Sequence, residues 1–287
     1  MPPRPCQSVT VIVRSHNDRP FVERTLRALL DQDCDLPVDI LSGDDASTDG
    51  TAEAIAQLFP TVRRATRPDG PYIPGRTLNH LVRQATGDII VFNNADAIPQ
   101  NPQFLRNLIA PLRSGQADAT YANQLPRPDA TWLVRKDSLR AFGDGSIARS
   151  WGFFFSLASS AALRDDLLAN PFDETFQYSE DVEWARRRPL RIAYCPDALV
   201  EHSHNYTFAE LRKRFRGEGY AEAQRSGHVP SLARTLLGAC RETLRDAAFL
   251  LRHPQGLAEL PAAFPRRWLQ RNSFRQGGLD FLRGHHA

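Results

Sequence analysis

The chain has 287 residues, of which 41% are hydrophobic and 24% charged, and its formal net charge is +3. This balance is typical of one large or two modest globular domains, and it excludes collagen, coiled coil and extensive disorder. The longest nearly apolar stretch, residues 153–163, is interrupted by serines and is far shorter than the roughly 20 residues that cross a bilayer, so we predict no integral membrane segment. The first residues lack the apolar core of a signal peptide, and we therefore expect a cytoplasmic protein.

Charge is distributed unevenly along the chain. Residues 230–287 hold nine arginines and four acidic residues, a net charge of +5 that leaves −2 for the rest. Apolar clusters alternate with these arginines, as at Leu236 and Leu237. We therefore predict a domain over residues 1–227 and a basic, amphipathic helical extension over residues 228–287. Such an extension either packs on the domain or lies on an anionic membrane surface.

The first half of the chain alternates strand and helix patterns, which indicates an α/β fold with a mostly parallel central sheet flanked by helices. A β-branched run over residues 8–14 predicts the first strand. Asp18 is placed to cap the next helix, and Pro20 lies in its first turn. The apolar face of this helix is predicted to comprise Phe21, Val22, Leu26, Leu29 and Leu30.

The second strand is predicted over residues 38–42, and a turn rich in Asp, Ser, Thr and Gly then leads to a short helix. Its predicted apolar residues are Ala54, Ile55 and Leu58. A third, short strand over residues 61–65 and a Pro- and Gly-rich loop over 67–75 precede a helix that Gly87 stops. Residues 88–92 (DIIVF) have the composition of a buried central strand, which leads into the polar segment NNADAIP.

The second half is less regular. Up to Ser150 we predict a helix after Pro102, a strand over residues 119–125, and then loops and short helices. An aromatic and small-residue segment over residues 151–163 follows, and a charged helix begins near Ser179. The last elements before the basic extension are short strands over residues 191–196 and 199–202 and a helix over 208–224.

Three loops that follow predicted parallel strands are strongly polar: residues 14–17, 43–50 and 93–96. Strand carboxyl ends and helix amino ends converge at one edge of such a sheet, where ligands bind. Most polar residues of the second loop are typical of turns and caps. Asp44 is different, because it adjoins a second carboxylate and needs a hydrogen-bond donor, which a pyrimidine base or a ribose hydroxyl could supply.

A second group of acids and imidazoles follows downstream. Glu180 and Asp181 begin a predicted helix, where acids often only complement the helix dipole, and a histidine at a strand end is often just a polar terminus. His202 and His204 are two residues apart, so on a strand both face one way. Together with Asp96 they could bind a divalent cation through nitrogen and oxygen ligands.

Taken in order, these segments resemble the successive signatures of family 2 glycosyltransferases, which have the GT-A fold. The matching segments, within roughly residues 8–225, are SVTVIVRSHN, DILSGDDASTDGT, GDIIVFNNADAIPQNPQFL, PFDETFQYSEDVEWARR and IAYCPDALVEHSHNYT. Within the family, the segments ATGDIIVFNNADAIP, YANQLPRP, SEDVEWA and VEHSHNYT are most similar to bacterial rhamnosyltransferases that build O-antigen and other surface polysaccharides.

The resemblance implies an inverting glycosyltransferase that moves a sugar from a dTDP-, UDP- or GDP-sugar to a glycan or lipid-linked acceptor. Among these donors, dTDP-L-rhamnose fits the subfamily. A Mg²⁺ or Mn²⁺ ion would neutralise the diphosphate leaving group, and an aspartate would accept the proton of the acceptor hydroxyl. The resemblance also suits an enzyme that contacts the inner face of the plasma membrane through its basic tail.

The resemblance also implies roles for individual residues. Nucleotide-sugar-binding residues would be His16, Asp44, Arg76, Asn79 and Ala95. The metal ligands would be Asp96, as the last carboxylate of the DXD motif, and His202. The catalytic base would be Asp181, with Glu180 beside it.

One departure from the family pattern lies in the DXD motif, which is reduced here to Asn94-Ala95-Asp96. A single carboxylate predicts weaker metal binding, and it leaves open a metal-independent enzyme or a catalytically inactive scaffold or regulator. A binding module built on the basic tail is a further alternative. We expect no nucleic-acid partner, because the rest of the chain is nearly neutral and carries no recognised nucleic-acid motif.

Overall fold

The computed structural model describes residues 6–146 and 150–285. Its contacts divide the chain into two units. The first unit comprises residues up to 125 together with 139–175 and 180–202, and the second comprises residues 126–138, 176–179 and those from 203 onward.

Eight strands in the described part of the first unit form one mixed sheet. They are β1 (Val9–Ser15), β2 (Val38–Asp44), β3 (Arg63–Arg64), β4 (Ile89–Asn94), β5 (Ile98–Pro99), β6 (Ala119–Leu125), β7 (Ser159–Leu163) and β8 (Ile192–Glu201). Their order is β3-β2-β1-β4-β7-β6-β8-β5. The first four strands of this order are parallel, as predicted, and β6 and β8 are parallel as well. β7 is antiparallel to both of its neighbours, and β5 is antiparallel to β8.

The helices of the first unit are α1 (Arg19–Leu30), α2 (Thr51–Leu58), α3 (Pro74–Gln84), α4 (Phe104–Arg113), α6 (Arg164–Ala169) and α7 (Glu180–Arg186). Those of the second unit are α5 (Trp132–Ser138), α8 (Phe208–Ser226), α9 (Leu232–Arg252) and α10 (Leu260–Leu282). α3 begins within the predicted loop over residues 67–75, because Pro74 occupies its first turn. None of the helices among the described residues combines the length and apolar character needed to cross a membrane.

Helices cover both faces of the sheet, so the central strands are apolar on both sides. In β1, Val11 and Val13 belong to an apolar cluster that includes α1 and α4, whereas Ile12 packs on the other face with α3. The predicted apolar faces of α1 and α2 are wrong at their ends. Leu30 and Leu58 are about half exposed, because each is the last residue of its helix and no further turn packs over it.

The predicted strands over residues 191–196 and 199–202 form a single strand, β8. Its pairing with β6 is interrupted by a bulge, since Ala122 pairs with Cys195 but Asn123 pairs with Leu199. Beyond the bulge the pairing continues to Leu125 and Glu201. This strand carries the chain to His202.

The second unit has a charged interior. Asp246 of α9 is inaccessible to solvent and receives hydrogen bonds from Lys136 of α5 and Arg267 of α10. Arg267 also forms an ion pair with Asp137 at 2.8 Å. These carboxylates raise the pKa of the Arg267 guanidinium above its usual range, although burial alone would lower it. The Arg267 guanidinium therefore remains charged, and the contacts of Asp246 tie three helices of this unit together.

Candidate functional site

The predicted polar edge of the sheet is present in the first unit. β1 pairs with β2 and β4 in a register that sets Ser15 beside Asp44 and Arg14 beside Asn94. The backbone N–H of Ala95 donates to the carbonyl of Arg14 at 2.8 Å. The loops after these three strands therefore lie next to one another, as the sequence pattern predicts.

Asp44 obtains its hydrogen-bond donors from within the chain. Its carboxylate accepts hydrogen bonds from the hydroxyls of Ser15 at 2.8 Å and Ser47 at 2.6 Å, and from the Ser47 backbone N–H at 2.9 Å. The neighbouring Asp45 forms an ion pair with Arg67 at 2.7 Å. The argument that this pair of carboxylates needs an external donor is therefore wrong, and a nucleotide role for Asp44 depends on the resemblance alone.

His16 is exposed and held in place by its surroundings. Its Nδ1 lies 2.7 Å from the carbonyl oxygen of Asp45, and Asn17 contacts its Nε2 at 3.2 Å. The backbone N–H of His16 donates to Asp18 at 2.9 Å. Because a carbonyl oxygen only accepts, Nδ1 carries the proton and the loops after β1 and β2 are joined through this ring.

Among the described residues, three that are not glycine have a left-handed backbone conformation, and each adjoins a polar loop or a candidate residue. Asn17 has φ 59°, Ala46 has φ 52° and Ser179 has φ 57°. Asn17 follows His16, and Ser179 precedes Glu180. Such conformations cost about 1–3 kcal/mol each and occur preferentially at functional sites. The strain therefore falls on the segments that the sequence motifs single out.

Asp96 and His202 come together in the first unit. Asp96 is 6% exposed, and its Oδ1 lies 3.6 Å from Nε2 of His202. On the other side of the ring, Nδ1 lies 2.8 Å from Oε1 of Gln124, whose amide nitrogen donates to Ser156 at 2.8 Å. Since Oε1 can only accept, Nδ1 is the donor, and in the neutral ring Nε2 presents its lone pair toward Asp96.

This arrangement has the chemistry of a divalent-cation site. Metal-binding histidines commonly donate their second ring nitrogen to an oxygen, which fixes the tautomer. Adjacent ligands of one octahedral Mg²⁺ ion lie about 3 Å apart and opposite ligands about 4 Å apart. The 3.6 Å between Asp96 and His202 falls between these two separations. The two residues therefore fit as part of a cation site. Gln124, which orients the ring, is a residue that sequence reasoning missed.

The strand geometry invoked for His202 and His204 does not apply to them. β8 ends at Glu201, so strand alternation does not extend over these two histidines. His204 belongs to the second unit, where its ring stacks on that of Tyr206.

Asp18, predicted only as a helix cap, is a second acid near Asp96. Its side chain makes no capping bond to α1. Burial, together with the carboxylates of Asp96 and Asp49, raises the pKa of Asp18 to about 6. Negative charge thus accumulates at the end of β4 even though the DXD motif has lost one acid.

Glu180 and Asp181 begin α7, as the sequence predicts. Burial, and the adjacent Asp181, raise the pKa of Glu180 to about 7, while Arg14 at 3.9 Å opposes that rise. Asp181 accepts a hydrogen bond from the backbone N–H of Val182 at 2.8 Å. A carboxyl with a pKa near neutrality is suited to proton transfer.

Arg14 was not among the predicted site residues, although it stands in the first polar loop. One guanidinium nitrogen donates to Oδ1 of Asn94 at 2.8 Å, and another lies 3.9 Å from Glu180. Asn94 occupies the first position of the DXD motif, where an acid would neutralise this cation. The substitution by asparagine therefore leaves positive charge beside the predicted diphosphate site. The sequence signal that could have identified Arg14 was the absence of an acid at the first position of the DXD motif.

The remaining predicted donor-binding residues have structural contacts. Asn79 is 5% exposed. Its side-chain amide nitrogen donates to the carbonyl of Phe172 and to the carboxylate of Glu174, and its Oδ1 accepts from the backbone N–H of Phe172. Arg76 donates to the carbonyl of Asp69 at 3.1 Å. Ala95 is buried, and its carbonyl accepts from the hydroxyl of a threonine in α1. These contacts connect the loops around the polar edge, and for Asn79 they favour a structural role.

Comparison with solved structures identifies the fold. The mannosyltransferase PcManGT from Pyrobaculum calidifontis superimposes with a TM-score of 0.66 and 20% identity, over 99% of this chain and 90% of that one. Glucosyl-3-phosphoglycerate synthase from Mycobacterium tuberculosis has a TM-score of 0.57 and 22% identity, over 78% and 82% of the two chains. The protein has the GT-A fold, an α/β fold with a mixed sheet flanked by helices and a C-terminal helical extension.

Comparison of sequences gives the family. The pattern of glycosyl transferase family 2 matches residues 10–170, and the chain belongs to this family. It is 28% identical over 201 residues to the O-antigen chain rhamnosyltransferase WbaN of Salmonella anatum, and 29% identical over 163 residues to the O-antigen chain rhamnosyltransferase RfbN of Salmonella typhimurium. These alignments cover 65% and 52% of this chain. The chain spans less than two thirds of either relative, 63% and 52% of their lengths.

Proposed function

We propose that this protein is an inverting glycosyltransferase that transfers a sugar from a nucleotide donor to a glycan or lipid-linked acceptor. The observation that carries the proposal is the pairing of Asp96 with an oriented His202 at the sheet edge, beside the loops of His16 and Asp44. Membership of glycosyl transferase family 2 supports the same reaction class.

Within this reaction we propose dTDP-L-rhamnose as the donor. The support is the similarity to two O-antigen chain rhamnosyltransferases, which is modest in identity and partial in length. Similar structures were solved with GDP-mannose or with UDP, so GDP- and UDP-sugars are the competing donors. In all three cases His16 and Asp44 would contact the base and ribose, and Arg76 and Ala95 would line the donor site.

A Mg²⁺ or Mn²⁺ ion bound by Asp96 and His202 would act as a Lewis acid that stabilises the departing diphosphate. Two similar structures, those of PcManGT and of glucosyl-3-phosphoglycerate synthase, were solved in complex with Mn²⁺, which supports this choice of ion. His204 lies two residues beyond His202 and is the candidate for a further ligand. Arg14 would add fixed positive charge close to the same phosphates.

Asp181 is proposed as the base that accepts the proton of the acceptor hydroxyl. The hydroxyl oxygen would then attack the anomeric carbon on the face opposite the departing diphosphate, so that the configuration inverts. Glu180 is the neighbouring candidate, and its pKa of about 7 means that it is partly protonated at neutral pH. Attack and departure need both a base and charge stabilisation, which these two groups of residues would supply.

Three other expectations stay predictions: the division of the chain between residues 227 and 228, the cytoplasmic location, and contact of the basic extension with the inner face of the plasma membrane. The absence of a nucleic-acid partner is likewise a prediction. Steep salt dependence of RNA or DNA binding would contradict it.

The first test is thermal stabilisation of the protein by dTDP, UDP, GDP and ADP, each with and without Mn²⁺. Selective, metal-enhanced stabilisation by dTDP is expected. A preference for UDP or GDP would retain the enzyme class and change the donor. Stabilisation by none of these nucleotides would contradict a nucleotide-sugar-dependent enzyme.

Asp181→Asn separates catalysis from binding. This variant should lose transfer while its stabilisation by nucleotide stays close to that of the wild type. Asp96→Ala should weaken diphosphate binding only when metal is present. Unchanged turnover of Asp181→Asn would remove Asp181 from the mechanism.

The second candidate function, an inactive scaffold or regulator, is motivated by Asn94 in the DXD motif. Asn94→Asp would place a carboxylate within hydrogen-bonding distance of Arg14 and restore the second acid. If the wild type is inactive because of this position, the variant should gain metal-dependent transfer. Transfer by the wild type itself would exclude the inactive function.

A further inference from the structure

α9 differs from an ordinary amphipathic helix in which residues it buries and which it exposes. Its buried side carries polar and charged residues, among them Glu242 and Asp246. Leu250 is buried, but three other leucines point outward: Leu237, Leu244 and Leu251 are 69%, 71% and 67% exposed. Apolar side chains of a helix normally face the core, so this pattern requires an explanation other than packing of the second unit.

The interior contacts show why the leucines are excluded from the core. Asp246 accepts hydrogen bonds from Lys136 and Arg267, and the carboxylate of Glu242 lies 4.0 Å from the ammonium nitrogen of Lys136. Buried charges of this kind need their partners, so the acidic side of α9 is fixed inward. The opposite side of the helix must then face away from this charged interior.

The exposed leucines form one continuous stripe. They are seven residues apart, or about two helical turns, which puts them on one line with a spacing of about 10.5 Å. Cys240 and Ala248 fall between them at helical spacing, and Ala233 lies about one turn before Leu237. We call this set of six residues the α9 stripe. Contiguous exposed apolar surface of this kind marks an interaction site.

A row of arginines borders the stripe on one side. At about 100° per residue, Arg234, Arg241, Arg245 and Arg252 all lie roughly 40 to 80° around the helix axis from Leu237. All four are exposed. The two acids of α9, in contrast, are buried. Arg245 also pairs with the buried Glu242 at 2.6 Å, and the outer face of this helix combines apolar surface with exposed arginines.

We propose that the α9 stripe and its arginine row dock on an anionic lipid bilayer surface, with the helix lying in the plane of the membrane. An apolar strip beside arginines is the pattern of an interfacial helix, in which the leucines enter the acyl boundary and the guanidinium groups meet lipid phosphates. A second copy of the chain is a poorer occupant, because it would bring the same arginine row without acids on α9 to pair with it. The inference does not depend on sugar transfer.

Flotation of the full chain with vesicles tests the proposal in the absence of donor and acceptor. The vesicles contain phosphatidylcholine alone or phosphatidylcholine with phosphatidylglycerol. We expect binding to the anionic vesicles, weakened by salt, and little binding to the neutral ones. The triple variant Leu237→Gln, Leu244→Gln, Leu251→Gln should lower partitioning about 100-fold or more.

Matched control variants distinguish the effect of the α9 stripe and its arginine row from that of exposed leucines and arginines elsewhere in the protein. Leu30→Gln with Leu58→Gln removes two exposed leucines of the first unit and should leave vesicle binding unchanged. Arg234→Gln with Arg252→Gln should lower binding to anionic vesicles about 25-fold, since each arginine contributes about fivefold. Arg83→Gln, an exposed arginine of α3, should have little effect.

Circular dichroism and thermal unfolding of each variant check that the fold is intact, as expected for exposed positions. Equal vesicle binding by the wild type and the triple leucine variant would overturn the proposal. It would also be overturned if the wild type fails to bind anionic vesicles but sediments as a dimer that the triple variant abolishes. That outcome would identify a second copy as the occupant.

Discussion

Replacement of Glu180 by glutamine should make the protein more stable at alkaline pH. The side chain is 14% exposed, and burial together with Asp181 raises its pKa from 4.5 to about 7. The folded state therefore holds the Glu180 proton more tightly than the unfolded state does. The stabilisation from this proton is complete below about pH 4.5 and is lost as the pH rises through about 7.

The magnitude follows from the difference between the two pKa values. Each pKa unit corresponds to about 1.4 kcal/mol, so ionised Glu180 costs the folded state about 3 kcal/mol. Glutamine has a similar shape and carries no charge at any pH. Between pH 5 and pH 8 the free energy of unfolding of the wild type should therefore fall about 2 to 3 kcal/mol further than that of Glu180→Gln.

Urea unfolding across this pH range, followed by circular dichroism and tryptophan fluorescence, measures the difference. Glu183→Gln is the matched control, since it removes an acid from the same helix and breaks the ion pair with Arg187 at 2.8 Å. A stability difference between the wild type and Glu180→Gln that does not change with pH would refute the assignment of a raised pKa.

Three further variants test the site and the packing around it. Gln124→Leu removes the hydrogen-bond partner that orients the His202 ring. Metal affinity measured by calorimetry should therefore fall about 10- to 100-fold. Unchanged affinity would show that metal binding does not depend on this orientation. Gly75→Ala would bring its Cβ into steric clash with the carbonyl oxygen of Asp173, so the free energy of unfolding measured in urea should fall by about 1–3 kcal/mol. An unchanged free energy of unfolding would mean that the loop around Asp173 moves aside at no cost. Asp246→Ala removes the carboxylate that pairs with two buried cations, so the free energy of unfolding should fall by about 3–5 kcal/mol. A loss below about 1 kcal/mol would contradict this role of Asp246.

The alternating half of the fold could be predicted from the sequence because its signals are local. β1, β2 and β4 are apolar runs that end in polar loops, and the register of these strands brings the loops together. β7 was not predicted as a strand, because the segment SSAAL has weak strand propensity and lies between aromatic and charged segments. Its place between β4 and β6 arises from long-range pairing, which a local pattern does not encode.

The candidate site was predictable to the extent that it follows from motifs. Asp96, His202 and Glu180 were identified because each stands in a recognisable segment. Gln124 and Arg14 were missed, since the role of each depends on a partner about eighty residues away along the chain. The inward direction of the charged side of α9 was equally hidden, because leucines in an amphipathic pattern are ordinarily assigned to the core.

The pairing of β8 with β6 beyond the bulge controls the direction in which His202, the proposed metal ligand, points. Residues 196–198 of β8 have no partner in β6, and pairing resumes at Leu199. Ala122 and Asn123 are adjacent and face opposite sides of the sheet, whereas their partners Cys195 and Leu199 are four residues apart, so strand alternation does not run through the bulge. The bulge absorbs residues 196–198, and the pairing of β8 with β6 that resumes at Leu199 sets the side-chain directions anew and leads the chain to His202 beside Gln124. A change in the length of the bulge that leaves this pairing intact should therefore preserve the contact between His202 and Gln124.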